Sequence, residues 1–200
     1  KGCDKMFEKE GEGEDNFSKS NSDSDFKSNL DFFKKEKLNL LPLEYNSKQP
    51  IEGVGWKELQ KRKITEKEMD TLFKGVLEEK NNIGVICGKV SDNLFVIDFD
   101  DKDIYHKFFT KPVGTAIIRT ERGYHVYFKA NHSVRTKDIF DSKGKKVITL
   151  KGEGSYVVAP PSVRSFGRYA FVQNSEIIRL DGDPRQQLTD RSKEFGLNIG

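Results

Sequence analysis

The chain has 200 residues, 34% hydrophobic and 34% charged, with a net charge of +3. That length holds one domain, or one domain and a tail, and the modest apolar fraction excludes an integral membrane protein: no apolar run approaches the roughly 20 residues that span a bilayer, and no secretory signal is visible. Cys3 and Cys87 are too few and too distant for a disulfide framework or a zinc site, which fits a reducing compartment. The charge is uneven: residues 1–29 carry five lysines against eight acidic residues, so the rest of the chain is net +6, a mildly basic body that fits a polyanionic partner. The first residue is Lys1 rather than Met, so we expect a fragment of a longer protein.

Residues 1–29 are rich in Ser, Asn, Asp, Glu, Lys and Gly and read as a disordered or linker-like tail. Phe26, Leu30, Phe32 and Phe33 are spaced to start a short amphipathic helix. Residues 38–43 form the first core strand and lead into a turn at 46–50. Residues 56–63 read as helical, and Thr65 with Glu68 makes a capping box that opens a helix running to about Glu79. Strands dominate after that. Residues 83–87 and 94–98 read as a hairpin-like pair, 116–120 and 124–129 as a second, and 147–150 and 156–159 as a third. A short helix falls at 104–109. Residues 168–180 supply one or two more strands, and 184–200 begin a helix or a linker to a further domain. The class is α+β with a largely antiparallel sheet, and the folded domain is expected over 30–183.

Three segments carry candidate chemistry. The strand at 94–98 ends in Asp98 and Asp100, which share a face because strand side chains alternate. Two anions on one face repel, and a divalent cation is a common remedy; solvated aspartates at a strand end are the bland alternative. In 118–128, His125 shares a face with Tyr127, opposite Tyr124, Val126 and Phe128, and the core is expected on the latter side. There His125 could bond a phosphate or ligate a metal, and Arg119 and Arg122 could add bidentate phosphate contacts; a surface histidine is the alternative. In 147–162, Gly152 and Gly154 allow a tight turn, and Pro160-Pro161 ends the strand and fixes how Ser162 is presented; an ordinary hairpin with a proline stop reads the same way.

Together and in this order, the segments resemble the primase-polymerase domain of the archaeo-eukaryotic primase superfamily, in the form found in replication proteins of plasmids, viruses and integrated elements. The resemblance begins at Leu41-Pro42-Leu43, Ser47-Lys48-Gln49-Pro50 and Trp56-Lys57. It continues through Asn82 to Gly88 and Ser91, the Asp98/Asp100 strand and Thr120 to His125, and closes at Gly154 to Ser162. It covers roughly residues 38–165.

The resemblance implies an N-terminal α/β portion and a C-terminal, mainly antiparallel sheet with an active cleft between them. It implies a DNA-template-dependent nucleotidyltransferase, a primase or DNA polymerase, in which Asp98 and Asp100 hold two divalent cations, Mg²⁺ or Mn²⁺, without zinc. His125 would bind the incoming triphosphate, and Lys48, Arg122 and Ser162 fall in motifs that contact triphosphate or sugar. The implied partners are single-stranded or primed template DNA and (d)NTPs, and a helicase or helical accessory domain, in the cytoplasm of a prokaryotic cell or of the host of its plasmid or virus. One departure matters. The family's third carboxylate falls in register on Thr149, which contributes no charge to a metal pair. The second metal site would then be weak, rebuilt from Glu153 or Asp101, or missing. This motivates a second reading, a degenerate domain that binds nucleotide or nucleic acid without catalysis, with Tyr105 and Tyr127 as exposed aromatics for single strands. A metal-dependent nuclease on the same scaffold is a third.

Overall fold

The strands that carry the candidate residues are apolar on both faces, and the fold buries both. The computed structural model describes residues 6–7, 23–111 and 113–199. In chain order the elements are α1 (Asp23–Lys35), β1 (Asn39–Glu44), α2 (Trp56–Leu59), α3 (Glu66–Leu77), β2 (Asn81–Ile86), β3 (Leu94–Phe99), α4 (Lys102–Phe108), β4 (Ile117–Arg119) and β5 (Tyr124–Ala130). They continue with β6 (Lys137–Phe140), β7 (Lys146–Lys151), β8 (Tyr156–Ala159), β9 (Val163–Arg164), β10 (Gly167–Arg168), β11 (Ala170–Gln173), β12 (Ile178–Leu180), α5 (Pro184–Glu194) and β13 (Asn198–Ile199). The class is α+β, as expected from the sequence.

A large sheet runs β11-β4-β5-β3-β7-β6-β13, with β12 alongside β5 in parallel and the other pairings antiparallel. A small sheet runs β1-β2-β8. Period-2 alternation divides β3 between two cores. Leu94 and Val96 join Leu40, Leu43, Phe73, Val85 and Tyr127 on the side of the small sheet, α1 and α3. Phe95, Ile97 and Phe99 join Val126, Phe128, Ile148, Leu150, Phe108 and Leu188 on the side of α4 and α5. Strands buried on both faces read as near-continuous apolar runs, which is how 94–97 reads.

The local signals hold where the chemistry is local. Thr65 caps α3: the Glu68 N–H donates to its Oγ1 at 3.2 Å, and the Thr65 N–H donates back to Glu68 Oε2 at 2.8 Å. The expected helix at 56–63 is shorter, ending at Leu59, because the buried Asn39 amide donates to the carbonyls of Leu59 (2.6 Å) and Arg62 (2.9 Å). Helix α1 begins at Asp23, upstream of the expected domain edge at residue 30. Met6 is buried in the second core, and its N–H donates to Gln187 Oε1 at 2.9 Å. Cys3 lies outside the described residues; Cys87 is a free, buried thiol that burial pushes up to about 12.

Two expected hairpins are not hairpins, whereas the β4–β5 pair is one. β2 lies in the small sheet and β3 in the large one, linked by a single Gly88–Leu94 bridge. Between them a short 3₁₀ turn and two successive left-handed residues, Asp92 (φ 58°) and Asn93 (φ 57°), turn the chain from one sheet to the other. Likewise β7 sits between β3 and β6, and β8 crosses to pair with β2. The crossover is pinned to neighbouring segments: the Glu153 N–H donates to the Val134 carbonyl at 2.7 Å, and the Gly152 N–H to Thr136 Oγ1 at 3.1 Å. This return of β8 matters for function, because it brings the segment after Lys151 beside the end of β3.

Candidate active site

The site is built on one row of residues across the large sheet. Asp98 on β3 pairs with His125 on β5 to one side and with Thr149 on β7 to the other, and Thr149 pairs in turn with Asp138 on β6. Directly opposed residues in a ladder point to the same face, and this face is the one turned toward the small sheet. The His125 ring stands in the wall with Nε2 3.4 Å from Asp98 Oδ1. It is 5% exposed, so the expectation of a polar, outward face is wrong: the small sheet and the Tyr169 ring, at 6.1 Å between centroids and 32° between planes, cover it. Its Nδ1 has no hydrogen-bond partner among the described residues.

A cavity of about 370 Å³ opens over this row. Its lining includes Lys48 from the turn after β1, Trp56 from α2, Asp98, His125, Lys151 at the end of β7, Tyr156 of β8 and Tyr169. Trp56 and Tyr156 meet edge to face with centroids 4.8 Å apart, and the Tyr156 hydroxyl donates to the Lys48 carbonyl at 2.7 Å, tying the lysine turn to the aromatic wall. The same turn is held from behind by Asn82, whose amide donates to the carbonyls of Ser47 (3.1 Å) and Val163 (2.8 Å) and accepts from the Val163 N–H (3.0 Å). Burial alone would raise the Asp98 carboxyl; the adjacent His125, then Lys151 and Lys48, outweigh it and hold Asp98 below the ordinary carboxylate value. Burial raises the Tyr169 phenol to about 12.

Asp100 continues the alternation beyond β3, with its N–H donating to the Val147 carbonyl at 3.0 Å. It is not among the residues that line the cavity; Arg122, on the β4–β5 turn, lies 3.5 Å from it. That turn packs against the end of β3: a Cβ on Gly123 would collide with the carbonyl of Phe99, so only glycine lets the turn sit there.

Three other sequence candidates go elsewhere. Ser162 is 1% exposed, and its hydroxyl accepts from the Ile83 N–H at 2.8 Å and donates to the Ile83 carbonyl at 3.1 Å, latching the end of β8 to β2. Glu153 accepts from the Lys89 N–H (2.8 Å) and from Ser133 Oγ (3.0 Å), its carboxylate lying where a Gly88 side chain would be. Asp101 caps α4, accepting from the N–H groups of Asp103 (2.8 Å) and Ile104 (3.1 Å). Neither acidic residue is placed to replace a carboxylate at Thr149. Tyr127 is fully buried, and Tyr105 packs with Phe99, Phe109 and Tyr124, so neither offers an open ring to a single strand. Lys151, Tyr156 and Tyr169 are the members of the site that the sequence reading left out of it. A lysine at a strand end carries no signal of its own; Tyr156 enters through the β8 crossover, and Tyr169 lies between β10 and β11, its N–H donating to the Ser162 carbonyl at 3.0 Å.

Over residues 29–186 the chain matches the family model described as the N-terminal domain of bifunctional DNA primase/polymerases, Prim-Pol. It belongs to the Prim-Pol family. The match spans the Prim-Pol signature segments quoted above and both sheets, from α1 to the start of α5. No curated protein matches the chain. Among the described residues no helix is long and apolar enough to cross a membrane.

The donor chemistry of the site can be set against the divalent cations that a Prim-Pol domain implies. Among the described residues no three His, Cys, Asp or Glu side chains form a group that could hold a metal ion. What the end of β3 supplies is a pair of carboxylates, Asp98 and Asp100, spaced by one residue. Two carboxylates, with water and phosphate oxygens completing the shell, suit one hard divalent cation. They do not by themselves make a second site.

Proposed function

We propose that this domain is a template-directed nucleotidyltransferase, a DNA primase or polymerase, whose incoming nucleoside triphosphate binds in the cavity over Asp98 and His125. The observation that carries the proposal is the convergence of Lys48, Lys151, His125 and Asp98 on one cavity from four separate segments. Two lysines and an imidazole suit a triphosphate; the carboxylate among them suits the cation that accompanies it. Lys48 and Lys151 neutralise phosphate charge. As an imidazolium, His125 would donate from Nε2 to Asp98 and from Nδ1 to a phosphate oxygen. Trp56 and Tyr156 form an aromatic wall of the same cavity, against which base and sugar would rest. Asp98 and Asp100 would hold the cation, Mg²⁺ or Mn²⁺, which when bound neutralises the triphosphate and lowers the pKa of the attacking hydroxyl. Phosphoryl transfer asks mainly for such positioning and charge neutralisation, and the chain needs no covalent nucleophile. Template DNA completes the reaction, and a helicase or helical accessory domain is the partner expected of a replication protein.

The test is extension of a primed single-stranded DNA template with dNTPs and Mn²⁺ or Mg²⁺, beside the Asp98→Ala/Asp100→Ala variant. Extension that the variant loses supports the proposal; extension that persists in the variant rejects this assignment of the site. Thr149, neutral where the family carries a carboxylate, favours a second reading in which the domain binds nucleotide without incorporating it. Metal-dependent dNTP binding without extension would select that reading.

A further inference from the structure

The β9–β10 ribbon carries two arginines that are held differently. Arg168 pairs with Val163 and is tied down: its Nη1 donates to the Pro161 carbonyl at 3.1 Å, and its Nη2 lies 3.8 Å from Glu79 Oε1. Arg164 pairs with Gly167 on the opposite face of the ribbon and has neither a hydrogen bond nor an ion pair among the described residues. The bond from the Tyr169 N–H to the Ser162 carbonyl lies one rung beyond the Val163–Arg168 pair, so alternation puts Arg164 on the face that carries Tyr169. Tyr169 lines the cavity over Asp98. Burial raises its phenol, and among the charges acting on it Arg164, which opposes that rise, is the strongest, ahead of Asp98 and Glu121.

The ribbon is fixed in place and open beside Arg164. Phe166 at its tip packs edge to face on Tyr169 with centroids 5.4 Å apart, and a Cβ on Gly167, opposite Arg164, would meet nothing within 4 Å. The buried Asn82 amide donates to the carbonyls of Ser47 and Val163, the residues immediately before Lys48 and Arg164, so one side chain anchors both cations. Lys48 lines the cavity and Arg164 does not. Arg164 therefore stands at the rim, outside the space shared by Lys48, Lys151 and His125.

We propose that the β9–β10 ribbon is the surface on which a single strand of nucleic acid enters the site, with Arg164 taking a backbone phosphate. The inference rests on the proposed function above and concerns the rim of the same cavity. A guanidinium with no partner in the protein offers its whole donor fork to a phosphate, and such contacts position a strand without reading its sequence. A triphosphate has Lys48, Lys151 and His125 within the cavity; the next phosphate outward belongs to the strand beside it, and addition to a strand needs the two side by side. Tyr105 and Tyr127, packed inside the protein, leave the strand to be held by charge at this rim.

The experiment is binding of fluorescein-labelled oligo-dT by anisotropy over a series of salt concentrations, on the wild-type protein and on Arg164→Ala, Arg164→Lys and Arg168→Ala. Thermal melts, primer extension and dNTP titration followed by Trp56 emission run in parallel. Arg164→Ala should weaken oligo-dT binding about fivefold near 0.1 M salt and make the slope of log K against log[salt] shallower by about 0.7, the share of one phosphate contact on a single strand. Arg164→Lys, which keeps the charge, should keep the slope. Arg168→Ala, on the far face, should leave slope and affinity unchanged, and the dNTP midpoint should be the same in all four proteins. Oligo-dT binding that is absent from a wild-type protein able to extend primers, or a salt slope that Arg164→Ala leaves unchanged, would overturn the inference and leave the proposed function standing. So would an Arg164→Ala loss that appears in the dNTP midpoint instead, which would assign Arg164 to the triphosphate. A wild-type protein that extends no primer and whose Trp56 emission ignores dNTP would overturn the proposed function, and the inference with it.

Discussion

The β3–β5 pair carries a cluster of charges at each end, and the two clusters behave in opposite ways. At one end Leu94 pairs with Lys129, and the Lys129 ammonium, 7% exposed, donates to the Glu36 carbonyl at 2.9 Å and to Glu36 Oε2 at 3.0 Å and lies 3.3 Å from Asp92, which in turn holds Arg179 at 2.6 Å. Every formal charge there has an opposite neighbour, and the network stitches α1, the 92–93 turn and β12 to the sheet. A cavity of about 510 Å³ lies over this cluster, larger than the one over Asp98, and Glu36, Lys129, Asp92 and Arg179 in its lining are paired with one another. At the other end His125 Nδ1 has no partner among the described residues, and Lys48 and Lys151 face the same space as Asp98. The lesson is that burial and charge alone do not mark a site; what sets the Asp98 end apart is an unpartnered imidazole nitrogen and two lysines facing one cavity with a carboxylate. A buried polar group left unsatisfied costs roughly 1–3 kcal/mol, and a fold tolerates that where a ligand supplies the missing partner.

The contrast can be broken from either end. Lys129→Ala should cost about 3–5 kcal/mol of stability, because it leaves Glu36 buried without its cation, while the KM for nucleotide in the folded fraction stays unchanged. Denaturant melts and steady-state incorporation measure the two effects separately. Replacing both partners, Lys129→Met with Glu36→Leu, should recover most of the loss. His125→Ala should act on chemistry as well, lowering incorporation about 100-fold in the folded fraction, since it removes the imidazole beside Asp98. A smaller effect is expected of the lysines: Lys48→Ala or Lys151→Ala should raise the KM for nucleotide about tenfold each, with steeper loss at high salt.

The smallest effect lies away from both clusters. The Arg62 side chain, then the Thr65 backbone, hold the Glu68 carboxyl at about 2, below its ordinary 4.5. A depressed carboxyl stabilises the fold above about pH 4.5, and that contribution fades as pH falls through about 2. Glu68→Gln should therefore cost stability at neutral pH, by less than about 1 kcal/mol for so exposed a pair, and the difference should close in acid melts.

The same contrast explains what the sequence made legible. The β4–β5 hairpin and the α3 cap were readable because their determinants are adjacent: Gly123 in a short turn, and Thr65 three residues from Glu68. The alternation that puts Asp98 and Asp100 on one face was readable too. Strand partners were not, because period-2 alternation fixes faces and not neighbours. The turns at 88–93 and 152–155 fit a hairpin or a crossover equally well, and bonds from Val134, Thr136 and Ser133, far off in sequence or in another segment, decided it. That misreading hid Tyr156 from the site; Ser162, a contact only by the family resemblance, latches β8 to β2. Nor did anything local distinguish Lys129, buried in a network, from Lys151, facing the cavity: both are lysines at the end of an apolar strand.

Trp56 is the chain's single tryptophan and lines the cavity over Asp98, so its fluorescence reports directly on whether nucleotide binds there. Titration with a dNTP and Mn²⁺ should shift its emission saturably, with the midpoint moved about tenfold higher by Lys151→Ala. A wild-type protein that extends primers while its Trp56 emission stays unchanged by nucleotide would contradict the account.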